Sequence, residues 1–292
     1  MNKFVDKQKI KRFFSFGCSF TRYAWTTWSD IIAEELKVPY YNYGGAGAGN
    51  QYIFNTVMQA DAFYKFDEND LVMISWTNVC REDRYIKDRW QCPGNIFTQQ
   101  LYSTEWVEKF ADPVGMAMRD FAAIHAVDSI LKSKNCQYYF LSMIDITKFF
   151  DQYQDYQYQD YGANFKNETI STLNLIYNDS LSSIISNFYD VLWDGNISNK
   201  FNKIEKRFNY RLLDPHPSPI EHYEYLKESL NYEFSETTIN KVKEAEDIWN
   251  RLLVKWAYNP KSSSEPPLKE IYSLTQIAAD YEVNPKGWVL YR

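Results

Sequence analysis

The run of six residues from Leu71 to Trp76 (LVMISW) is the feature that most restricts the fold of this chain. It is almost continuously apolar and has the length of one strand, which indicates a strand that is buried on both faces. Such strands are typical of parallel sheets that helices cover on both sides. Comparable runs occur at residues 12–17, Tyr40 to Tyr43 and Gln137 to Met143. The chain is therefore predicted to form one parallel sheet.

Segments with helical spacing of apolar residues separate these runs. Alternation of strands and helices predicts βαβ units. We therefore expect an α/β protein, a flavodoxin-like three-layer α/β/α sandwich with a parallel sheet of about four or five strands. Residues 10–145 and 208–256 would build it. The predicted helices are Trp25 to Leu36, a segment around Ile53, Val114 to Leu131, Ser218 to Tyr225 and Glu236 to Lys255.

The alternation breaks at about residue 145. Residues 150–169 are low in complexity and rich in Tyr, Gln and Asp. We therefore predict an insertion or lid at about 145–205, with a helix from Ser171 to Tyr189, inside one domain of residues 1–258. The alternative is a solvated loop with no function of its own. Residues 79–112 are charged and predicted to be irregular.

The chain is 292 residues long, and 45% of its residues are hydrophobic, which is enough for a sizeable folded core. Its last part, residues 259–292, does not continue the pattern of the domain. NPKSSSEPP at 259–267 is typical of a linker. The remaining residues form a tail that docks either on the core or on a partner.

The composition argues against several classes of partner. The chain has 38 acidic and 32 basic residues and a formal net charge of −6, whereas nucleic-acid binding needs a concentrated basic face. No stretch approaches ~18 consecutive apolar residues, so no membrane span is expected. The start of the chain lacks the apolar core of a signal peptide, which predicts a protein that is cytoplasmic where it is made, or virion-associated. Four cysteines and three histidines lack ligand spacing, so neither a metal nor a cofactor is expected.

A small hydroxyl residue follows the first predicted strand directly. The sequence Gly17-Cys18-Ser19-Phe20-Thr21 comes after the apolar residues Phe13 to Phe16, so Ser19 lies where that strand ends. Open α/β sheets bind their ligands at this edge. Ser19 is therefore a candidate nucleophile, and its alternative roles are a turn residue or a helix cap.

The candidate base lies near the other end of the chain, in Asp214-Pro215-His216-Pro217. Imidazole can take up and return a proton near neutral pH, and the two prolines would hold the backbone of His216. We expect Ser19 and His216 to lie within or near hydrogen-bond reach. Asp214 could orient the imidazole as the third member of a triad. A Ser–His dyad supported by a backbone carbonyl is the alternative.

Four blocks in this order resemble the SGNH (GDSL-like) hydrolase family. Phe16 to Thr21 stands where that family has Gly-Asp-Ser-x-Thr, with Cys18 in place of the aspartate. Asn42 to Gly47 is similar to the second block, in which an asparagine precedes the oxyanion glycine by five positions. Ser75 to Asn78 stands where the family has Gly-x-Asn-Asp and lacks the glycine and the final aspartate. Asp214 to Pro217 resembles Asp-x-x-His-Pro, with one residue fewer between the acid and the base.

The resemblance implies roles for these positions. Ser19 would be the nucleophile, His216 the base and Asp214 its orienting acid. Gly47 and Asn78 would form the oxyanion hole together with the amide of Ser19, because a developing oxyanion needs two or three donors. Glycine at position 47 would also allow a close approach of the backbone to the ligand.

Other interpretations of the polar residues stay open at this point. The run Gly44 to Gly49 could be a phosphate-binding loop, although it lacks the P-loop pattern. Asn78 could be a simple turn residue, and His216 a structural histidine. His222 is a second candidate base or a residue that supports the first. His125 is predicted to be packed or exposed on its helix. Arg81 and Arg84 could meet an anionic substrate or form ordinary salt bridges.

The resemblance implies a serine esterase that removes an acyl group, with acetyl the first choice, from a carbohydrate or small ester through an acyl-serine. The 24 Tyr, 19 Phe and 9 Trp suit a sugar-binding cleft, although codon usage in an AT-rich genome also accounts for them. Acyl transfer to a sugar hydroxyl would use the same residues. A non-catalytic binding or structural subunit, for instance of a phage particle, is the alternative of a different class. A homo-oligomer or a virion assembly is compatible with each of these three functions.

Overall fold

The computed structural model describes residues 5–97, 101–148, 167–200, 202, 214, 216–257 and 274–283. Within them, five strands form one sheet and two more form a hairpin. The strands of the sheet are β1 (Arg12–Gly17), β2 (Tyr40–Gly44), β3 (Asp70–Trp76), β6 (Gln137–Ser142) and β7 (Ile184–Asn187), and those of the hairpin are β4 (Arg84–Ile86) and β5 (Arg89–Gln91).

The strand order in the sheet is β2-β1-β3-β6-β7, and every neighbouring pair is parallel. Because the strands are parallel, their carboxyl ends meet at one edge of the sheet. Phe14 of β1 lies opposite Tyr41 of β2 on one side and Val72 of β3 on the other. The predicted parallel sheet of four or five strands is therefore confirmed.

Helices cover both faces of this sheet. The helices α1 (Trp28–Leu36), α8 (Pro219–Leu230) and α9 (Glu236–Ala257) contact one another on one face, and α2 (Asn50–Tyr64) and α4 (Pro113–Ser133) contact each other on the opposite face. The predicted three-layer α/β/α sandwich is therefore confirmed. The other helices among the described residues are α3 (Thr104–Phe110), α5 (Asn167–Ile176), α6 (Asn178–Leu181) and α7 (Phe188–Trp193).

Aromatic side chains fix the register between β1 and β2. The ring of Phe14 stacks on Tyr41 with centroids 4.6 Å apart, and Phe16 stacks on Tyr43 at 4.9 Å. Cross-strand aromatic pairs of this kind contribute about 0.5–1.5 kcal/mol each beyond their burial. All seven residues of β3 are buried, as the continuous apolar run predicts. The strand ends that carry the site residues are thus held by a rigid core.

Two predictions about secondary structure are wrong. The helix predicted from Ser171 to Tyr189 is interrupted by β7, which extends the sheet beyond β6. A β-branched pair, Ile184 and Ile185, lies at the start of this strand, and such residues favour strands over helices. Residues 79–112 are also less irregular than predicted, because they contain the β4–β5 hairpin and α3.

Residues 274–283 of the predicted tail dock on the core. The Tyr40 amide donates to the Tyr281 carbonyl, and the Val283 amide donates to the Tyr40 carbonyl, both at 2.8 Å. These bonds cover the outer edge of β2, where an unpaired strand would otherwise expose its backbone groups. The low-complexity segment 150–169 and the linker 259–267 lie almost wholly outside the described residues, and the domain bounds stay predictions.

Candidate active site

Ser19 lies in a tight turn directly after β1. The amide of Thr21 donates to the carbonyl of Cys18 at 2.9 Å, so the chain reverses around Ser19. A Cβ atom at Gly17 would lie 2.0 Å from Thr21 Oγ1, so a larger residue could not pack against this turn. Ser19 retains 8% of its surface exposed. Ser19 is thus nearly buried and lies at the carboxyl edge of the sheet, directly after β1.

Ser19 is not a helix cap. The next helix, α1, begins at Trp28 and has Thr27 as its N-cap residue. The Thr27 amide donates to Asp30 Oδ2 at 2.8 Å, and the Thr27 hydroxyl donates to the Thr21 carbonyl at 2.7 Å. The capping function thus belongs to a residue eight positions later, which also ties the turn around Ser19 to α1.

Asp214 and His216 are in direct contact. Asp214 Oδ1 accepts a hydrogen bond from His216 Nδ1 at 2.6 Å and another from the His216 backbone amide at 2.8 Å. The second carboxylate oxygen accepts from the Tyr23 hydroxyl at 2.8 Å. Because Nδ1 donates to the carboxylate, Nε2 of the neutral ring is the proton acceptor. The spacing of two residues therefore does let the acid reach the ring.

The charge states of this pair follow from its surroundings. Burial alone would raise the pKa of Asp214, but the hydrogen bonds and charge of His216 and the Tyr23 hydroxyl outweigh it and hold that pKa below its usual value. Burial also lowers the pKa of His216 below 6.5, against the raising effect of Asp214. At neutral pH the pair is therefore an ionised carboxylate beside a neutral imidazole, which is the state that a general base requires.

Aromatic rings and one buried cation fix the position of His216. Tyr23 stacks on its ring with centroids 3.5 Å apart, and Phe20 and Trp25 lie at 5.5 and 6.4 Å. The buried ammonium of Lys200 donates to the His216 carbonyl. Sequence analysis missed these supporting residues. Tyr23 and Trp25 follow the Ser19 block closely, which is the signal that could have drawn attention to them, whereas Lys200 has no comparable signal.

Asn78 follows β3 and is held by a local hydrogen bond. Its Oδ1 accepts from the Cys80 amide at 2.7 Å, and 7% of its surface is exposed. This is the bond that makes asparagine common in turns, so the interpretation as a turn residue is correct as far as Oδ1 is concerned. Because that bond engages the oxygen, it also sets the orientation of the Nδ2 donor. The turn and the predicted oxyanion role are therefore compatible.

Gly47 has a left-handed backbone conformation and no room for a side chain. Its φ is +71°, and a Cβ atom there would lie 2.2 Å from the carbonyl oxygen of Cys92. The segment after β5 thus packs directly against this position. The resulting close approach is a steric reason for glycine that does not depend on an oxyanion role, which stays a prediction.

The loop of residues 44–49 does not resemble a phosphate site. Its amide donors at the start of α2 are already engaged, because Asp83 accepts from the Gly49 and Tyr52 amides at 2.9 Å each. A buried carboxylate at a helix N-terminus takes the place that a bound phosphate would need. The sequence analysis did not single out Asp83, whose contact with the loop spans more than 30 positions.

The carboxyl edge of the sheet collects the predicted site residues. Ser19, Gly47 and Asn78 follow β1, β2 and β3, and His216 reaches the same edge through its contact with Phe20. Within the described residues, no hydrogen bond joins Ser19 Oγ to the His216 ring. The geometry thus places the residues together at one edge, while their catalytic roles and the pairing of nucleophile with base stay predictions.

The other two histidines have different surroundings. His222 is completely buried, its ring packs edge-on against Phe188 at 5.5 Å, and neither ring nitrogen has a partner among the described residues. Burial lowers its pKa well below 6.5, so it stays neutral and has no access to a substrate. His125 Nδ1 lies 2.9 Å from the Ser180 hydroxyl, as a packed structural histidine does.

The part of the chain that the structure describes has neither a metal-binding cluster nor a membrane-spanning helix. No group of three or more His, Cys, Asp or Glu side chains there could hold a metal ion. All four cysteines are free thiols. No described helix is both long enough and apolar enough to cross a membrane.

Comparisons with known proteins find solved structures of low similarity to this chain. No family model matches the chain, and no curated protein matches it significantly. A member of the lipolytic protein G-D-S-L family from Veillonella parvula is 14% identical over 74% of this chain and 97% of its own, with a TM-score of 0.37. A GDSL-like lipase from Bacteroides thetaiotaomicron is 12% identical over 78% and 90%, with a TM-score of 0.39. At these identities and TM-scores the two structures assign neither a family nor an activity to this chain.

Proposed function

We propose that this protein is a serine ester hydrolase. The observation that carries the proposal is the 2.6 Å hydrogen bond between His216 Nδ1 and Asp214 Oδ1, at the same sheet edge as Ser19. A neutral imidazole that is oriented by a carboxylate is the arrangement that activates a serine hydroxyl, which is otherwise a poor nucleophile.

The proposed reaction proceeds in two steps. Ser19 Oγ attacks the ester carbonyl while His216 Nε2 takes the hydroxyl proton, and Asp214 stabilises the imidazolium that forms. The oxyanion accepts hydrogen bonds from the amides of Ser19 and Gly47 and from Asn78 Nδ2. The tetrahedral intermediate then collapses, the alcohol leaves with the proton from His216, and an acyl-serine remains. Water deprotonated by His216 cleaves this ester and releases the acid.

We further propose that the substrate is an O-acyl ester, with acetyl the first choice, of a carbohydrate or another small alcohol. Aromatic side chains surround the base and continue away from it. The rings of Phe20 and Tyr189 lie 6.5 Å apart, and Tyr189 contacts Trp193 edge-on at 5.2 Å. Phe20 and Trp193 are buried, whereas Tyr189 is half-buried, and a flat apolar ring with a polar tip suits the C–H faces and hydroxyl groups of a sugar. Transfer of the acyl group to a sugar hydroxyl would use the same residues and exclude water.

A fluorophosphonate probe tests the proposal without a choice of substrate. The purified protein is incubated with the probe, and the labelled peptide is identified by mass spectrometry. We expect a label on Ser19, no label in Ser19→Ala, and normal labelling in Ser133→Ala, a control at an exposed serine at the end of α4. Hydrolysis of 4-nitrophenyl acetate should follow the same order. A wild-type protein that neither takes the label nor hydrolyses esters would contradict the proposal.

A non-catalytic binding or structural subunit, for example of a phage particle, is the second candidate. It is favoured by one observation, the lack of a hydrogen bond between Ser19 Oγ and His216 among the described residues. Such a subunit would bind a carbohydrate with equal affinity in the wild type and in Ser19→Ala, without turnover. Glycan-array binding by both proteins, together with a negative probe experiment, would support this candidate.

A further inference from the structure

Arg81 lies between the loop of residues 44–49 and the end of β6. Its Nη1 donates to the Ala48 carbonyl at 2.7 Å, and its Nη2 lies 3.4 Å from Met143 Sδ. Ala48 follows Gly47, and Arg81 itself comes three residues after Asn78. The half-buried Arg81 therefore follows Asn78 closely in the chain, and its guanidinium binds the residue next to Gly47.

Arg81 forms no ion pair among the residues that the structure describes. Within the described residues its partners are a carbonyl and a thioether, and its Nε is buried without a hydrogen-bond partner. Asp83, two positions later, accepts from the Gly49 and Tyr52 amides and feels the Arg81 charge only at longer range. A guanidinium is always ionised, and a buried donor without a partner is costly. An anionic ligand would relieve both costs.

Arg84 shows the ordinary alternative on the same segment. Its Nη2 forms a 2.9 Å ion pair with Glu82, and its guanidinium lies over the Trp106 ring at 5.0 Å. The charge of Arg84 is thus satisfied by the protein itself. The salt-bridge interpretation is correct for Arg84, and within the described part of the chain Arg81 forms no salt bridge.

The geometry of the Arg81 guanidinium defines what it can bind. Nη1 is anchored to the Ala48 carbonyl, whereas Nε and Nη2 share the edge with which arginine binds a carboxylate in bidentate fashion. On that edge, among the described residues, Nε has no hydrogen-bond partner, and Nη2 has only the thioether sulfur of the buried Met143, which is a weak acceptor. Carboxylate oxygens are much stronger acceptors and would displace the sulfur.

Arg81 also acts on the candidate base. Burial is the main cause that lowers the pKa of His216, and the positive charges of Lys200 and Arg81 add to it. Since Lys200 is committed to the His216 carbonyl and Glu221, Arg81 is the cation at this edge that has no carboxylate partner among the described residues.

We propose that Arg81 binds a carboxylate that the ester substrate carries, so that acylated acids, such as an O-acylated acidic sugar, are preferred over neutral esters. The proposal rests on the ester hydrolase function proposed above. It assigns Arg81 to substrate recognition and leaves bond cleavage to Ser19 and His216.

Two pairs of esters that differ in one charge test this preference. The first pair, 4-acetoxybenzoate and its methyl ester, carries the carboxylate on the alcohol side. The second pair, mono-4-nitrophenyl glutarate and its methyl ester, carries it on the acyl side. The measured quantity is the ratio of kcat/KM for the charged and the neutral member, because a general disturbance of the site through Ala48 would lower both values and leave the ratio unchanged.

We expect the ratio to fall about 10- to 100-fold in Arg81→Met for at least one pair, which is the usual contribution of a hydrogen-bonded charge. Arg81→Lys should give an intermediate ratio, because it keeps the charge and loses the bidentate edge. Arg84→Met is the matched control and should keep the wild-type ratio. Turnover of the neutral esters with equal ratios in wild type and Arg81→Met, for both pairs, would overturn the carboxylate site and leave the hydrolase function intact.

A second measurement separates the two proposals if the wild type hydrolyses no ester. Binding of benzoate and of glutarate to Ser19→Ala is then measured by calorimetry, with and without Arg81→Met. Binding that disappears in the double variant would support the carboxylate site while the hydrolase function fails. An equal affinity with and without Arg81, or no binding at all, would refute the site.

Discussion

The substitution Asp214→Asn tests most directly whether the acid acts through His216. In the structure one carboxylate oxygen accepts from both His216 Nδ1 and the His216 amide, at 2.6 and 2.8 Å, and the other accepts from the Tyr23 hydroxyl. An asparagine that keeps its oxygen toward His216 would preserve both bonds. Its NH₂ group would then face Tyr23, whose hydroxyl can rotate and accept.

The expected loss of rate follows from this geometry. Hydrogen bonds to a charged group contribute about 1.5–3 kcal/mol and neutral ones about 0.5–1.5 kcal/mol, so the substitution should cost about 1–2 kcal/mol. That corresponds to about a 5- to 30-fold lower kcat. A loss of about 10⁴ is typical of a histidine that is left in the wrong tautomer, and here the two donors of His216 oppose that flip. Asp214→Ala removes all these contacts and should lose about 10³–10⁴.

The assay is the pH profile of kcat/KM for 4-nitrophenyl acetate, whose acid limb reports the pKa of the base in the free enzyme. Asp214 raises the pKa of His216 against the stronger effect of burial. Removal of its charge should therefore lower that pKa and shift the acid limb to lower pH. Tyr23→Phe keeps both the charge and the stacked ring, so it should lose less rate than Asp214→Asn. An acid limb that stays in place or moves to higher pH would refute this reasoning, as would equal losses in Asp214→Asn and Asp214→Ala.

Three further predictions concern single residues. Asn78→Ala should lower kcat by about 10²–10³ with little change in KM, and an unchanged kcat in steady-state kinetics would exclude Asn78 from the oxyanion hole. Gly47→Ala should lower the free energy of unfolding in urea by ~1–3 kcal/mol, because the φ of Gly47 is +71° and the new Cβ would lie 2.2 Å from the Cys92 carbonyl oxygen. Gly115→Ala is the control that should be tolerated, because a Cβ there lies 3.7 Å from its nearest neighbour. Burial would raise the pKa of Glu35, but the hydrogen bonds that its carboxylate accepts outweigh burial and lower that pKa. Glu35→Gln should therefore lower the free energy of unfolding by about 2 kcal/mol at pH 7. That cost should shrink as the pH falls below about 4.5, and a constant difference between the urea unfolding free energies at pH 7 and pH 4 would contradict it.

The sheet could be predicted where its signals are local. The strand of Asp70–Trp76 is buried along its whole length, so its apolar run identifies it without knowledge of its neighbours. The strand of Ile184–Asn187 has four residues, lies at the edge and is only partly buried, and it follows a segment with helical spacing. Its strand state depends on pairing with β6, which the local sequence does not specify.

The sequence predicts where the site residues lie better than it predicts the hydrogen bonds between them. Ser19 and Asn78 follow buried strands, so the topology alone brings them to one edge. The contact of Asp214 with His216 has a local component, because the carboxylate also accepts the amide two positions on, as aspartates commonly do. The bond from Tyr23 to Asp214 spans 191 positions and has no sequence signature.

The same distinction explains why two arginines on one segment differ in their chemistry. Arg81 and Arg84 are three positions apart and are equivalent by residue type, and only the folded chain gives Arg84 its partner Trp106 while it gives Arg81 a carbonyl and a thioether. Because a guanidinium keeps its charge in any surroundings, its function depends on which acceptors the fold supplies. Among the described residues Arg81 has no charged acceptor, and it lies at the edge of the sheet where ligands bind, so we infer that a substrate supplies the negative group.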